Sequence, residues 1–213
     1  MTKGCEVLAL GRRAYGPVLA LQRELVEKRQ RGAIGDTLVL VEHDPPVFTL
    51  GRNAEGSHIL ADESALRRRG VAVHRIERGG DVTFHGPGQL VGYPIVDLRA
   101  AGLGVRRYIA ALQEVLIRTL ARFDIEAACD PAYTGVWVGA DKIAAIGVRV
   151  KRGVTMHGFA LNVSADLGYY DLIVPCGIRG RGVTSMQKLT GRVHRMDAVR
   201  DAVVAEVRRE LGR

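Results

Sequence analysis

The residue best suited to covalent chemistry in this chain is Cys176, which lies in the segment "YYDLIVPCGI". A cysteine attacks a carbonyl carbon as the thiolate, and a free thiol supplies that form only in part at neutral pH. Pro175 and Gly177 flank the cysteine and predict a tight corner, where a thiol could be held at the mouth of a pocket. The alternative is a small apolar residue buried near a turn. This segment alone does not decide between a nucleophile and a structural cysteine.

Lys142 offers a second candidate functional group. Lysine occurs at only five positions, and arginine carries nearly all the positive charge, so a titratable amine is rare in this chain. Lys142 opens the apolar run "KIAAIGVRV". If it faced a pocket, burial would favour its neutral form and a neighbouring thiolate its charged form. The alternative is an exposed lysine at the head of a hairpin strand.

A glycine-rich segment, "RGGDVTFHGPGQL", runs from Arg78 to Leu90. Glycines let the backbone approach a ligand closely and leave its N–H groups available to an oxygen. The segment has neither the GK[ST] ending of a phosphate-binding loop nor the G-x-G-x-x-G spacing of a dinucleotide site. Because Arg78 and His85 lie within the glycine run, the pattern favours a loop that binds a ligand. A purely structural loop is the alternative.

His157 and Gly158 interrupt the otherwise apolar strand "TMHGFALNV". A glycine inside a strand often marks the close approach of a ligand or of another backbone. A lone histidine is more often a structural residue than a catalyst. The six histidines have no H-x-H or H-x-x-x-H spacing, and Cys5, Cys129 and Cys176 have no short paired spacing. The sequence therefore predicts neither a metal site nor a disulfide framework.

Helical and extended patterns alternate along the chain. Three segments beginning at Tyr15, Val105 and Met196 place apolar residues on one face of a helix. Between them lie short β-branched runs bounded by Gly, Pro or Asp. Several of these runs follow one another without an intervening helix, which predicts an α+β fold with a mixed or largely antiparallel sheet flanked by helices. The segment "VWVGADKIAAIGV" is predicted to form a hairpin that turns near residues 139–141, so that Lys142 begins the return strand.

Length and composition are those of a soluble globular protein. The 213 residues fit one domain, 1–213, and 47% are hydrophobic and 25% charged. No apolar run approaches the ~20 residues that span a bilayer, and the first residues lack the apolar core of a signal peptide, so we expect a cytoplasmic protein without a membrane role. The net charge is +8, but the basic residues are dispersed and not interleaved with aromatic ones. We therefore expect acidic proteins as partners, and no nucleic acid.

Taken in order, several segments resemble the lipoyl(octanoyl) transferase family. They extend from about Arg78 to Met186, roughly half of the chain. The resemblance implies a fold like that of the biotin and lipoate protein ligases. The matching segments are "RGGDVTFHGPGQLVGYPI", the lysine of "DKIAAIGVRV", "MHGFALNV", "VPCGI" and "GVTSM".

The resemblance also implies an activity and its residues. An octanoyl group would pass from octanoyl-acyl-carrier protein, through a thioester on Cys176, to a lysine ε-amine. The acceptors would be lipoyl domains of 2-oxoacid dehydrogenase E2 subunits and the glycine-cleavage H protein, in the first step of endogenous lipoate synthesis. Lys142 would lower the pKa of the cysteine and handle protons. No cofactor is implied, and we expect a monomer. By the family motif the substrate-binding residues are Arg78, Gly79, Gly80, Asp81, Val82, Thr83, Phe84, His85, Ala145, Ile146, Gly147, His157, Gly158, Phe159 and Ala160.

Three other functions fit parts of the same pattern. A lipoate or biotin protein ligase would share the glycine-rich segment but would use ATP and would not need Cys176. A cysteine–histidine acyltransferase or hydrolase would use His85 or His157 as its base. A non-enzymatic module would use the basic surface to bind nucleic acid or acidic carrier proteins.

Overall fold

The computed structural model describes residues 5–54, 58–174 and 180–212. In these ranges, the chain forms two β-sheets and the helices that pack on them. The strands are β1 (Glu6–Arg13), β2 (Thr37–His43), β3 (Val47–Leu50), β4 (Ala72–Arg75), β5 (Val82–His85), β6 (Gln89–Ile95), β7 (Val136–Val138), β8 (Asp141–Lys151), β9 (Val154–Asn162) and β10 (Gly182–Val183). The helices are α1 (Tyr15–Gln30), α2 (Glu63–Arg68), α3 (Val105–Ala121), α4 (Met186–Thr190) and α5 (Met196–Leu211), with a 3-10 helix at Leu167–Leu172.

The larger sheet has the strand order β1-β2-β6-β9-β8-β10, and β7 also pairs with β8. Its outer pairs β1–β2 and β10–β8 are parallel, whereas the central pairs are antiparallel. This arrangement confirms the predicted α+β fold with a mixed sheet. The predicted hairpin is also confirmed, since β7 and β8 pair on either side of a turn at residues 139–140.

Helices cover both faces of the larger sheet, and strand β2 shows why its sequence is apolar throughout. Leu38 and Leu40 pack in one core with α3 and α5, whereas Val39 and Val41 pack in a second core with α1. Successive side chains of a strand point to opposite faces, so a strand buried on both faces becomes a continuous apolar run. Each fully buried aliphatic side chain contributes roughly 1.5–3 kcal/mol to stability.

The three predicted helices are present as α1, α3 and α5. The apolar stripes predicted for α3 and α5 are buried as expected. The stripe of α1 is different, because Leu19 and Leu21 are only partly buried while the polar residue Gln22 is completely buried. Within the described ranges, none of the helices is long and apolar enough to cross a membrane.

A smaller three-stranded sheet, in the order β4-β3-β5, contains part of the glycine-rich segment. The sequence predicts a loop there, but Val82–His85 forms the complete strand β5, antiparallel to β3. Glycine and proline frame this strand, and its four residues are too few to show a clear period of two. Its pairing depends on β3, which is distant in sequence, so the local pattern did not reveal it.

Candidate active site

Strands β5, β6, β8 and β9 surround a cavity of about 480 Å³, including the space at its open mouth. Most of the predicted substrate-binding residues line it: Arg78, Gly80, Asp81, Thr83, His85, Ala145, Ile146, Gly147, His157, Gly158, Phe159 and Ala160. Four further lining residues were not predicted: Tyr15, Ile76, Val91 and Tyr93.

Gly79, Val82 and Phe84 are in the predicted set but do not line this cavity. Val82 and Phe84 belong to a separate apolar cluster, where Phe84 stacks on Tyr169 with ring centres 4.8 Å apart. The alternation of strand β5 explains the division, because Thr83 and His85 face the cavity while Val82 and Phe84 face away. Gly79 donates its N–H to the Val148 carbonyl at 3.0 Å, which ties the segment before β5 to β8.

Two glycines bring backbones together at the wall of the cavity. A Cβ atom on Gly158 would lie 2.2 Å from the carbonyl oxygen of Gly92, and one on Gly147 would lie 3.1 Å from that of Gly79. Real Cβ atoms do not approach backbone oxygens as closely as the first distance. The glycine in strand β9 therefore marks the close approach of another backbone, one of the two roles that its position in a strand suggested.

The guanidinium group of Arg78 fixes the segment that leads into β5. It donates to the Thr49 carbonyl at 2.7 Å, to the Thr49 hydroxyl at 3.0 Å and to the Gly79 carbonyl at 3.0 Å. Arg78 is buried, and its planar fork of donors can reach these acceptors together, which a lysine ammonium could not do in the same geometry. The positive charge of Arg78 at the cavity wall is therefore stabilised by hydrogen-bond acceptors of the protein.

His157 has a backbone φ of 58°, which is rare for a residue with a side chain. The register from Gly92–Phe159 to Asp97–Val154 places Pro94 opposite it. Pro94 has no N–H to donate to the ladder. Pro94 therefore offers no donor to the carbonyl of His157, whereas the N–H of His157 donates to Oε1 of Gln22 in α1, at 2.9 Å. Burial, followed by the Arg78, Arg149 and Arg23 charges, lowers the pKa of His157 to about 3, so its ring is neutral at neutral pH.

His85 is also held in its neutral form. Its Nδ1 lies 2.8 Å from Oε1 of Gln89, and the amide nitrogen of Gln89 donates to Asn162 and to Tyr170. Since Gln89 Oε1 can only accept, Nδ1 of His85 carries the proton and Nε2 carries the lone pair. Burial is the main reason that the pKa of His85 is well below its ordinary value, and His43 acts in the same direction.

A second, smaller space of about 240 Å³ contains Lys142. It adjoins the larger cavity, because Thr83 and Ala145 line both. Lys142 is only 7% exposed, and its nitrogen lies 4.8 Å from the centre of the Trp137 ring. Of the two interpretations of this lysine, the structure therefore supports the pocket and excludes an exposed hairpin residue.

Cys176 lies outside the described residues, which stop at Val174 and resume at Gly180. The two other cysteines are poor nucleophiles. Burial raises the pKa of Cys5 to about 11, and partial burial with the nearby Glu114 charge raises the pKa of Cys129. Both are therefore thiols at neutral pH, and the part of the chain that the structure describes provides no competing thiolate.

Comparison with solved structures shows that the fold is shared with two kinds of ligase. Lipoate-protein ligase A bound with ATP aligns with a TM-score of 0.76 at 18% identity, over 98% of this chain and 86% of that one. A bi-partite lipoate protein ligase from Thermoplasma acidophilum aligns at 0.71 and 16%, over 98% and 84%. A biotin protein ligase from Aquifex aeolicus with biotin and ATP aligns at 0.59 and 12%, over 97% and 70%. The predicted resemblance to the biotin and lipoate ligase fold is confirmed.

Sequence relatives are much more similar. The octanoyltransferase of Alkaliphilus metalliredigens is 54% identical over 186 residues, which cover 87% of this chain and 85% of that protein. The octanoyltransferase of Acidobacterium capsulatum is 53% identical over 194 residues, covering 85% and 78%. That of Rubrobacter xylanophilus is 50% identical over 200 residues, covering 93% and 89%. The sequence model of the lipoyl protein ligase A/B catalytic domain matches residues 14–208, and the chain therefore belongs to this family.

Proposed function

We propose that this chain is an octanoyltransferase that works through an acyl-thioester on Cys176. The donor is octanoyl-acyl-carrier protein, and the acceptor is a lysine ε-amine on a lipoyl domain of 2-oxoacid dehydrogenase E2 or of the glycine-cleavage H protein. One observation carries the proposal: Lys142 is buried beside a cavity that is lined in part by apolar side chains, in a chain about half identical to octanoyltransferases. One domain, residues 1–213, performs the reaction as a monomer in the cytoplasm.

In the first step, the Cys176 sulfur attacks the carbonyl carbon of the donor thioester. A new carbon–sulfur bond forms, the carrier's carbon–sulfur bond breaks, and the carrier thiolate leaves and takes up a proton. The ammonium group of Lys142 stabilises the Cys176 thiolate before the attack. Exchange between two thioesters requires little energy, so the step needs no ATP.

In the second step, the acceptor amine attacks the acyl-enzyme carbonyl, an amide bond forms, and Cys176 leaves as a thiolate. The attacking amine loses a proton. Acylation has removed the negative charge beside Lys142, and its ammonium group has given a proton to the departing carrier thiolate, so the neutral lysine amine can accept the proton from the attacking amine. The thioester-to-amide change is downhill, and the returning thiolate restores the starting charge pair.

The larger cavity accommodates the acyl chain. Ile146, Phe159, Ala160 and Val91 supply apolar surface, and burial of roughly seven carbons beyond the carbonyl contributes about 5 kcal/mol at ~0.8 kcal/mol per CH₂. The low pKa values of His85 and His157 keep two lining side chains uncharged, which suits a hydrocarbon ligand. The net charge of +8 accelerates encounters with acidic carrier and lipoyl domains, and salt weakens this steering.

The histidines are poorer candidates for the base than Lys142. His85 uses Nδ1 to donate to Gln89, and its Nε2 lies 3.5 Å from the Thr49 hydroxyl. The pKa of His157 is about 3, far below the operating pH that suits a general base. These observations favour the lysine over a cysteine–histidine arrangement.

Intact-mass measurement after mixing with octanoyl-acyl-carrier protein tests the proposal. We expect an octanoyl adduct without ATP, its loss in Cys176→Ala, and its retention in the matched variant Cys129→Ala. Lys142→Ala should slow both adduct formation and transfer, whereas His157→Gln should affect them less. Product formed without any adduct on Cys176 would exclude the covalent route, and a requirement for ATP with free octanoate would indicate a ligase.

A further inference from the structure

We propose that Asn162 is a positioning residue for acyl transfer. Its side chain forms hydrogen bonds with residues that precede and follow Cys176 in the sequence and thereby links those residues to the strand of Lys142. The inference rests on the proposed function, because it assigns importance to the placement of Cys176 relative to Lys142. Asn162 is the last residue of β9, is 3% exposed, and lines the smaller cavity with Lys142.

Both the oxygen and the nitrogen of the Asn162 carboxamide form hydrogen bonds. Its Nδ2 donates to the Thr184 carbonyl at 3.0 Å. Its Oδ1 accepts from the Tyr170 hydroxyl at 3.2 Å and from the Gln89 amide nitrogen at 2.9 Å. A carbonyl oxygen can only accept, so Nδ2 must face Thr184, and this assignment leaves Oδ1 for the two donors.

The partners of Asn162 have a particular place in the chain. Tyr170 precedes Cys176 by six residues, and Thr184 follows it by eight. The N–H of Thr184 donates to the Lys142 carbonyl at 3.0 Å, and Val183 is the parallel partner of Lys142 in the sheet. One side chain thus connects the residues before and after Cys176 and is linked through the second of them to the backbone of Lys142.

Only a carboxamide of this length meets these requirements. Aspartate would have no donor for the Thr184 carbonyl and would add a charge near Lys142, and an aliphatic residue would supply neither group. The interaction between an ammonium and a thiolate weakens with distance. Displacement of a reacting group by about 1 Å can reduce a rate by roughly 10²-fold. Loss of the Asn162 hydrogen bonds should therefore change both the charge state of Cys176 and its acylation rate.

The test uses Asn162→Ala and Tyr170→Phe in a Cys129→Ala background, so that alkylation by iodoacetamide reports Cys176. For each variant, the pH dependence of the alkylation rate gives the pKa of the thiol, and intact mass gives the octanoylation rate. We expect Asn162→Ala to raise that pKa toward the ~8.5 of a free cysteine and to slow octanoylation by roughly 10- to 100-fold. Tyr170→Phe, which keeps the ring against Phe84, should produce a smaller change in the same direction.

Thr119→Val is the matched control, because it removes a buried hydrogen bond from Thr119 Oγ1 to the Val115 carbonyl (2.7 Å) in α3 without changing the side-chain shape. It should lower stability but leave both readouts unchanged. A folded Asn162→Ala protein with the wild-type thiol pKa and octanoylation rate would overturn the inference; if that variant does not fold, an unchanged Tyr170→Phe would overturn it. Failure of the unsubstituted protein to form an octanoyl adduct would instead contradict the proposed function. The thiol pKa measured by alkylation would still test the role of Asn162.

Discussion

Lys142 and Trp137 are cross-strand partners in the β7–β8 hairpin, and the lysine nitrogen lies 4.8 Å from the centre of the indole ring. The ring is itself fixed, because its Nε1 donates to the Tyr133 carbonyl at 3.2 Å. Attraction between a cation and an aromatic face is worth roughly 0.5–2 kcal/mol. The indole therefore holds the ammonium group in the smaller cavity, where the proposed reaction requires it.

Replacement of Trp137 should slow octanoyl transfer according to how much of the aromatic face is lost. We expect Trp137→Leu to lower kcat/KM by roughly 2- to 30-fold, which corresponds to loss of 0.5–2 kcal/mol, and Trp137→Phe to lower it less. Both variants lose the bond to Tyr133, so the comparison between them isolates the ring face. Equal rates for the two variants, at equal folded fractions, would exclude the aromatic contact as the cause.

Ala145 lies where the two cavities adjoin, since it lines both together with Thr83. If the acyl chain occupies the larger cavity while its carbonyl reacts near Lys142, the chain must pass this point. We expect Ala145→Leu to obstruct the passage and to reduce transfer from octanoyl donors at least 10-fold more than transfer from butyryl donors, since hydrophobic pockets discriminate by roughly 1–3 kcal/mol per methylene.

Competition between butyryl- and octanoyl-acyl-carrier protein measures this change in selectivity. Ala198→Leu is the control, because Ala198 is exposed on α5 and accepts the same substitution without contact with either cavity. An equal loss for both chain lengths in Ala145→Leu would show that the acyl chain takes another path.

The sequence predicted much of this architecture because the relevant patterns are local. The apolar repeats of α3 and α5 can be recognised within a few helical turns. The hairpin before Lys142 can be recognised from two short neighbouring strands. The glycine-rich segment and "MHGFALNV" were recognised through the family resemblance, and most of the substrate-binding residues predicted in them line one cavity. The burial of Lys142 was not predictable from its hairpin position, since it depends on Trp137 and on β10.

Other features could not be read from the sequence because tertiary contacts create them. Gln22 is a polar residue that is buried on the apolar face of α1, and its Oε1 accepts from the N–H of His157. Asn162 and Gln89 appear as ordinary polar residues in strands until their shared network is seen. Pro94 was the available signal in the sequence, and it becomes informative only once the register places it opposite His157.

Because Gly158 packs closely against β6, we expect that addition of a single methyl group at this residue destabilises the folded protein. A Cβ atom there would lie 2.2 Å from the Gly92 carbonyl and 2.7 Å from Pro94 Cδ, so the backbone would have to move. We expect Gly158→Ala to reduce the free energy of unfolding by about 1–3 kcal/mol, as measured by urea denaturation. The matched variant Gly16→Ala meets no atom within 4 Å and lies in α1, so it should be neutral or slightly stabilising. Equal stabilities for the two variants would contradict the packing at β6.

His43 links the cavity wall to the pH dependence of stability. Its Nδ1 lies 3.2 Å from the Arg13 carbonyl and its Nε2 lies 2.7 Å from the Tyr93 hydroxyl. Since the carbonyl can only accept, Nδ1 carries the proton and Tyr93 donates to Nε2. Burial is the main cause that lowers the pKa of His43 to about 4 from its ordinary value of 6.5. Protonation would therefore break the bond from Tyr93 and place a charge in the core.

Acid should destabilise the protein in the pH range that these values define. Between about pH 6.5 and pH 4 the unfolded chain binds a proton at His43 that the folded chain does not bind, so the free energy of unfolding falls as the pH falls. From pH 7 to pH 5 this amounts to about 2 kcal/mol for His43, and the low pKa values of His85 and His157 act with the same sign. We expect His43→Asn, which keeps a donor for the Arg13 carbonyl, to reduce the loss between pH 7 and pH 5 by about 2 kcal/mol, as measured by urea unfolding at both pH values. An unchanged difference between the two pH values in this variant would show that His43 is not neutral in the folded protein.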